Sequence, residues 1–184
     1  MRKPENRQLN LDMDLRKLTE QVTALSVDVA SFIRSEAGKL TESRVASKSA
    51  NNLVTHVDHV SEDRLVEGLE LLLPEAGFIA EEGSGEQKER FNWVIDPLDG
   101  TTNFVHGVPC YCISIALLDG TEPLLGVVHE VTRDERFTAW RGGGAYLNGL
   151  PIRVSERTQL QDSLLATGFP YDDFGYEQEY MDLL

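Results

Sequence analysis

The chain has 184 residues, of which 41% are hydrophobic, and 17 Lys and Arg against 31 Asp and Glu give a formal net charge of −14. This composition is typical of a globular protein with a substantial core, and it excludes disordered, collagen-like and coiled-coil classes. Residues 1–50 hold nine basic and seven acidic side chains, whereas residues 51–184 hold eight basic and 24 acidic side chains. The acidic part of the chain would therefore repel nucleic acid and anionic membranes.

The sequence predicts neither a membrane span nor a secretory signal. No apolar run approaches the roughly 20 residues that cross a bilayer, and the polar segment MRKPENRQLNLDMD lacks the apolar stretch of a signal peptide. Two cysteines, Cys110 and Cys112, are too few to staple a secreted scaffold. We therefore expect a cytoplasmic protein with reduced core thiols.

Two helices are predicted in the first part of the chain. Between residues 14 and 39 apolar residues recur at steps of three and four, which predicts an amphipathic helix capped by Asp12 or Asp14 and ending near Gly38. A polar loop follows over residues 41–52. Residues 55–58 resemble a capping box that opens a second helix, and Pro74 ends it.

Beyond Gly77 the pattern changes to short strands separated by turn signals. The predicted strands are Phe78–Ala80, Asn92–Ile95, Tyr111–Leu118, Leu124–Val131, Arg136–Trp140, Ile152–Val154 and Leu164–Thr167. A tight glycine hairpin is predicted at Gly142–Gly144, and Tyr176–Leu184 indicates the opening of a helix. Short connections favour antiparallel pairing, so the predicted fold class is α+β, with helices packed on a mainly antiparallel sheet. Residues 1–160 are predicted to form this domain, and 161–184 the start of a second.

The segment from Trp93 to Phe104 carries the clearest functional signal. A strand that reads as buried delivers Asp96 at its end, and Asp99 follows three residues later on the same turn. These two carboxylates and the Leu98 carbonyl between them are hard oxygen ligands of the kind that Mg²⁺ prefers. The next backbone N–H groups, those of residues 100–102, would face an anion held by that metal.

A second acidic cluster, Glu81 and Glu82, follows another short apolar run. An isolated Asp-Pro-x-Asp-Gly is also an ordinary turn, because Asp, Pro and Gly form turns for local reasons. Two strand ends that each present acids favour a two-metal site instead. The four histidines, His56, His59, His106 and His129, are scattered along the chain and are expected to be surface or satisfied polar residues, since Mg²⁺ prefers oxygen. A haloacid-dehalogenase phosphatase is excluded, because Pro97 stands where its nucleophilic Asp would be.

The run WVIDPLDGTTNFVHGVP resembles the signature of the inositol monophosphatase family, lithium-sensitive Mg²⁺-dependent phosphatases related to fructose-1,6-bisphosphatase. Residues 48–58, 78–83 and 126–149 resemble three further family blocks in the same order. The resemblance covers roughly residues 15–170 and implies the N-terminal part of a layered αβαβα sandwich. It also implies a homodimer.

The resemblance assigns a role to each matching residue. Glu81, Asp96, Asp99 and the Leu98 carbonyl are expected to ligate two or three Mg²⁺ ions, and Asp99, Gly100, Thr101 and Thr102 to contact the substrate phosphate. Glu81 and Thr101 are expected to orient and deprotonate the attacking water, with Asp58 supporting Thr101. Lys48 is a possible further contact, and Asn52 stands where the family usually has Asp.

A later W-D-x-A-A-G block completes the family's site and is absent from these 184 residues, so we expect the protein to continue past Leu184. Residues that read the leaving group lie mainly in that block. Inositol 1-phosphate is the favoured substrate, with 3′-phosphonucleotide, fructose bisphosphate and histidinol phosphate as alternatives. The alternative in which the protein is not an enzyme is a non-catalytic interaction protein that retains the fold.

Overall fold

The computed structural model describes residues 13–37, 45–49, 52–166, 168 and 174–183. Its helices are α1 Leu15–Glu36, α2 His56–Leu72, α3 Thr101–His106 and α4 Glu177–Leu183. Its strands are β1 Val45–Ser49, β2 Asn52–Thr55, β3 Gly77–Ala80, β4 Phe91–Asp99, β5 Cys112–Asp119, β6 Glu122–Glu130, β7 Glu135–Trp140, β8 Gly144–Leu147 and β9 Leu150–Ile152.

Strands β3 to β9 form one open sheet in sequence order. Neighbouring strands are antiparallel from β4 onward, and only the β3–β4 pair in this sheet is parallel. This arrangement confirms the predicted α+β class with a mainly antiparallel sheet. The first two strands pair separately as an antiparallel hairpin.

Four local features differ from the sequence predictions. The polar loop predicted over residues 41–52 includes β1 and the start of β2, and the pattern missed β8 altogether. The strand predicted at Leu164–Thr167 is absent over 164–166, and Thr167 lies outside the described residues. Cys110 is an exposed thiol that precedes β5, whereas a core position was expected.

Helices α1 and α2 cover one face of the sheet. The side chain of Asp14 accepts a hydrogen bond from the Lys17 backbone N–H at 3.0 Å, which confirms this residue as the N-cap of α1. Helix α1 lies over β6 and β7, and α2 lies over β4. Their apolar faces bury Val22, Ile33 and Leu65 against the sheet. None of the helices within the described ranges has the length and apolar character required to cross a membrane.

The opposite face of the sheet also carries apolar side chains. Ile79, Val128, Phe137 and Ile152 are each between 37% and 40% exposed. Val128 and Phe137 are directly paired across β6 and β7, so their side chains share this face. The sheet therefore has one buried face and one partly exposed apolar face.

His129 links α1 to the loop between β6 and β7. Its fully buried side chain places Nδ1 3.1 Å from Ser26 Oγ and Nε2 3.0 Å from Asp134 Oδ1. The trio has the residue types of a hydrolase triad, yet Ser26 is fully buried within α1 and closed to substrate. His129 is thus a satisfied structural histidine, as the sequence predicted.

Acid is expected to weaken this link. Burial lowers the pKa of His129 below the ordinary value of 6.5, although Asp134 opposes the shift. Because the unfolded chain then binds the proton first, the contribution of His129 is complete above pH 6.5 and decreases as the pH falls below it. The pKa of Asp134 is lowered by its hydrogen bond to His129, so its own contribution is lost only below its ordinary 3.8.

The measurement is the Tm of wild type and His129→Gln between pH 7.5 and pH 5.5 in one buffer series. Each kcal/mol of stability corresponds to about 2–4 °C of Tm in a chain of this size. Between these two pH values the Tm of wild type should therefore fall by a few degrees more than the Tm of His129→Gln. Comparing the two proteins cancels every other titrating group. Parallel pH profiles would contradict the assignment.

Candidate metal and phosphate site

Parallel pairing of β3 with β4 brings the two acidic clusters together. Ala80 lies opposite Ile95 in the register, and the next backbone N–H, that of Glu81, donates to the Ile95 carbonyl at 3.3 Å. Glu81 and Asp96 therefore directly follow the last paired residues of β3 and β4, on neighbouring strands at the same edge of the sheet. The two carboxylates lie close enough for the charge of Glu81 to act on Asp96.

The turn from Asp96 to Asp99 is built by an interruption of the β4–β5 ladder. Pairing passes directly from Asp96 opposite Ser114 to Asp99 opposite Cys112, so the two residues between them have no ladder partner. The Leu98 side chain is only 1% exposed and anchors the turn in the core. Its backbone N–H donates to Asp96 Oδ1 at 3.2 Å.

The electrostatics of this edge favour a bound cation. Partial burial, followed by the charge and hydrogen bond of Glu81 and the charge of Asp99, raises the pKa of Asp96 to about 7. Adjacent negative charges repel, so either a proton on Asp96 or a bound cation relieves the repulsion at this edge. A divalent cation can replace that proton, and metal binding should therefore strengthen as the pH rises through about 7.

The donor set fits a hard divalent cation. Glu81, Asp96, Asp99 and the Leu98 carbonyl supply oxygen ligands, and Mg²⁺ commonly completes its shell with several waters. Among the residues that the structure describes, no three His, Cys, Asp or Glu side chains are already grouped as a metal cage. A metal here would therefore rely on the carbonyl and on water as well as on the carboxylates.

Thr101 lies between the acidic turn and α2. Its Oγ1 is 3.0 Å from the Leu98 carbonyl oxygen and 3.3 Å from Asp58 Oδ1, and it can donate its single proton to either. Asp58 is 3% exposed and lies in the first turn of α2, among its buried residues. The structure thus brings together Thr101 and Asp58, which are 43 residues apart in sequence.

Gly100 fixes the entry to α3 and cannot readily be replaced. Its φ of +95° lies in the left-handed region, which L side chains rarely adopt. A Cβ at this position would also lie 3.0 Å from the Cys110 carbonyl oxygen and 3.3 Å from Tyr111 Cα. The close approach of the segment just before β5 therefore sets the path of the chain from Asp99 into Thr101.

The thiol of Cys112 lies next to the Asp99 carboxylate. Cys112 Sγ donates to Asp99 Oδ2 at 3.6 Å. Burial, followed by the negative charge of Asp99, raises the pKa of Cys112 to about 12. At neutral pH this group is a neutral thiol and adds no charge to the site.

The remaining predicted positions are described less fully. Thr102 is an exposed residue of α3 beside Thr101. Lys48 and Asn52 belong to the β1–β2 hairpin, and the roles predicted for their side chains lie outside the described structure.

Sequence reasoning missed Glu62, a buried residue one helical turn after Asp58. Its position on the buried face of α2, among Leu65 and Leu69, was the available signal.

The fold and this edge define an α+β protein with a carboxylate-rich site suited to a divalent cation. The sequence model of the inositol monophosphatase family matches residues 14–179, and the chain belongs to that family.

Relatives and solved structures agree with this membership. The chain is 44% identical to Nus factor SuhB of Xylella fastidiosa over 131 residues, which cover 71% of this chain and 48% of the relative. It is also 44% identical to inositol monophosphatase 1 of Solanum lycopersicum over 128 residues, covering 67% and 47%. The solved Thermotoga maritima IMPase aligns with a TM-score of 0.78 at 34% identity, over 93% of this chain and 65% of that one. The chain thus spans about half the length of these two sequence relatives.

Proposed function

We propose that the protein is a Mg²⁺-dependent phosphomonoesterase that acts on a small polyol phosphate, with inositol 1-phosphate as the favoured substrate. The observation that carries the proposal is the placement of Glu81 beside Asp96 where the parallel pairing of β3 with β4 ends, with Asp99 close enough for its charge to act on Asp96. Family membership supports phosphatase chemistry, and the relative named inositol monophosphatase 1 supports the substrate class.

Each residue has a defined task in this proposal. Glu81, Asp96, Asp99 and the Leu98 carbonyl would hold the metal ions. Mg²⁺ bound there would neutralise phosphate oxygens and lower the pKa of a water molecule. The backbone of Gly100 and the hydroxyl-bearing residues Thr101 and Thr102 would contact and orient the phosphate beside these carboxylates.

Thr101 and Asp58 would activate the attacking water. When the Leu98 carbonyl is directed toward a cation, Asp58 is the better acceptor for the Thr101 hydroxyl proton. The Thr101 oxygen then has lone pairs free to accept from water, and Glu81 can take up the proton that the water loses. No covalent bond to the protein forms in this route.

The name of the SuhB relative favours a second candidate, the non-catalytic interaction protein that retains the fold. The presence of Glu81, Asp96 and Asp99 together argues against this candidate. A protein that only binds a partner does not require three carboxylates that repel one another. For the assembly we propose the two-fold homodimer that the sequence resemblance implied.

The deciding experiment measures phosphate release from inositol 1-phosphate, a 3′-phosphonucleotide, fructose bisphosphate and histidinol phosphate. The product of the complete reading frame is assayed beside the 184-residue chain, with and without Mg²⁺. Mg²⁺-dependent release from inositol 1-phosphate in preference to the others supports the proposal. No release from any ester by the product of the complete reading frame would overturn it in favour of the interaction protein.

Lithium provides a separate prediction for this site. Li⁺ is small and carries one charge, so it should compete for an oxygen-lined position that Mg²⁺ occupies. Phosphate release by the complete product should fall in added Li⁺ and stay unchanged in K⁺ at equal ionic strength. Equal effects of the two salts would indicate general screening and contradict competition at the metal site.

A further inference from the structure

The buried carboxylate of Glu62 is not used by the site as described so far. Glu62 lies on α2 and is completely inaccessible to solvent. Burying a carboxylate is costly unless both oxygens are hydrogen-bonded. One oxygen accepts from the Glu82 backbone N–H at 2.8 Å, and the other accepts from the Ser84 N–H at 2.9 Å.

These two N–H groups belong to the turn that presents Glu81. The turn is tied to the sheet at its start, where Glu81 N donates to the Ile95 carbonyl. It is tied again where Gly83 N donates to the Ala80 carbonyl at 3.3 Å. Glu62 thus holds two of the three residues that follow Glu81. It does so from α2, which packs against β4.

We propose that Glu62 is a positioning residue that fixes the backbone of residues 81–84, so that the Glu81 carboxylate is held beside Asp96 for metal binding. The inference rests on the function proposed above and deepens it. Both oxygens of Glu62 already accept backbone N–H groups, so its contribution passes through the turn and not through direct metal contact.

Glu62→Gln tests this arrangement with little change in size. Its amide oxygen can accept one of the two N–H groups, but its NH₂ group faces the other, which is then left without an acceptor. The turn should loosen, and Mn²⁺, used as a probe for Mg²⁺, should bind about 10-fold more weakly. Titration calorimetry or Mn²⁺ electron paramagnetic resonance reports this affinity without any substrate.

Ser61→Ala is the matched control. Ser61 is the buried neighbour of Glu62 on α2, and in the described structure its hydroxyl makes no hydrogen bond. This variant should bind Mn²⁺ like wild type. Hydrogen exchange of the Glu82 and Ser84 amides should accelerate in Glu62→Gln and stay slow in Ser61→Ala. Glu62→Asp, which keeps the charge, replaces Glu62→Gln if the latter fails to fold.

A double-mutant cycle with Glu81→Gln separates positioning from general stability. Once Glu81 is gone, Glu62→Gln should cause no further loss of Mn²⁺ affinity, although it should still lower the Tm. Wild-type affinity in Glu62→Gln, or an equal loss in the Glu81→Gln background, would overturn the inference alone. If wild type binds no Mn²⁺, the proposed function fails and this inference fails with it.

Discussion

Replacing Asp96 with Asn is expected to lower Mg²⁺-dependent phosphate release at least about 100-fold, because it removes a carboxylate from the centre of the cluster. The fold should survive. The Asn oxygen can still accept the Leu98 N–H, and the change removes a charge that Glu81 and Asp99 repel. Without metal, the variant should therefore unfold at the same temperature as wild type or slightly higher.

Thermal unfolding with and without Mg²⁺ measures the loss of metal binding directly. At a concentration of about 100 times its dissociation constant, a ligand adds about 2.7 kcal/mol of stability, or roughly 5–10 °C in a chain of this size. Wild type should gain this increment and Asp96→Asn should not. Asp28→Asn makes the same charge change on the exposed face of α1 and should behave as wild type. An undiminished Mg²⁺ shift in Asp96→Asn would remove Asp96 from the proposed ligands.

The local features of this site were predictable because short segments encode them. Asp96, Asp99 and Gly100 lie within five residues, and their turn-forming character shows in the sequence alone. Glu81 was also identified, because it directly follows a short apolar run. The parallel pairing that joins the two segments was not predicted, since ten residues without a helix separate β3 from β4 and short connections usually join antiparallel strands.

The failures have physical causes in particular segments. The β1–β2 hairpin is made mostly of polar residues. It therefore lacks the alternation of apolar and polar side chains that predicts a strand. Strand β8 has four residues and begins at Gly144, and the glycines before it were interpreted only as a turn. Glu62 was missed because a single acid within a helix usually faces solvent, and only the completed fold shows the backbone N–H groups that it accepts.

Replacing Thr101 with Val is expected to reduce kcat by about 10²–10⁴-fold while leaving Mn²⁺ affinity within a few-fold of wild type. Valine keeps the shape of threonine but removes the hydroxyl that lies 3.0 Å from the Leu98 carbonyl oxygen and 3.3 Å from Asp58 Oδ1. The lost hydrogen bond should also cost about 1 kcal/mol of stability. Assays well below the Tm keep this cost out of the kinetics.

Three further variants decide whether the hydroxyl acts chemically. Thr101→Ser should restore most of kcat, because serine retains the hydroxyl. Asp58→Asn should lower kcat to an intermediate value, since an amide accepts the Thr101 proton less strongly than a carboxylate and the hydroxyl then favours the Leu98 carbonyl. Thr138→Val makes the same change on β7 and should leave kcat unaltered. If Thr101→Val weakens metal binding as much as turnover, Thr101 supports the turn and does not activate water.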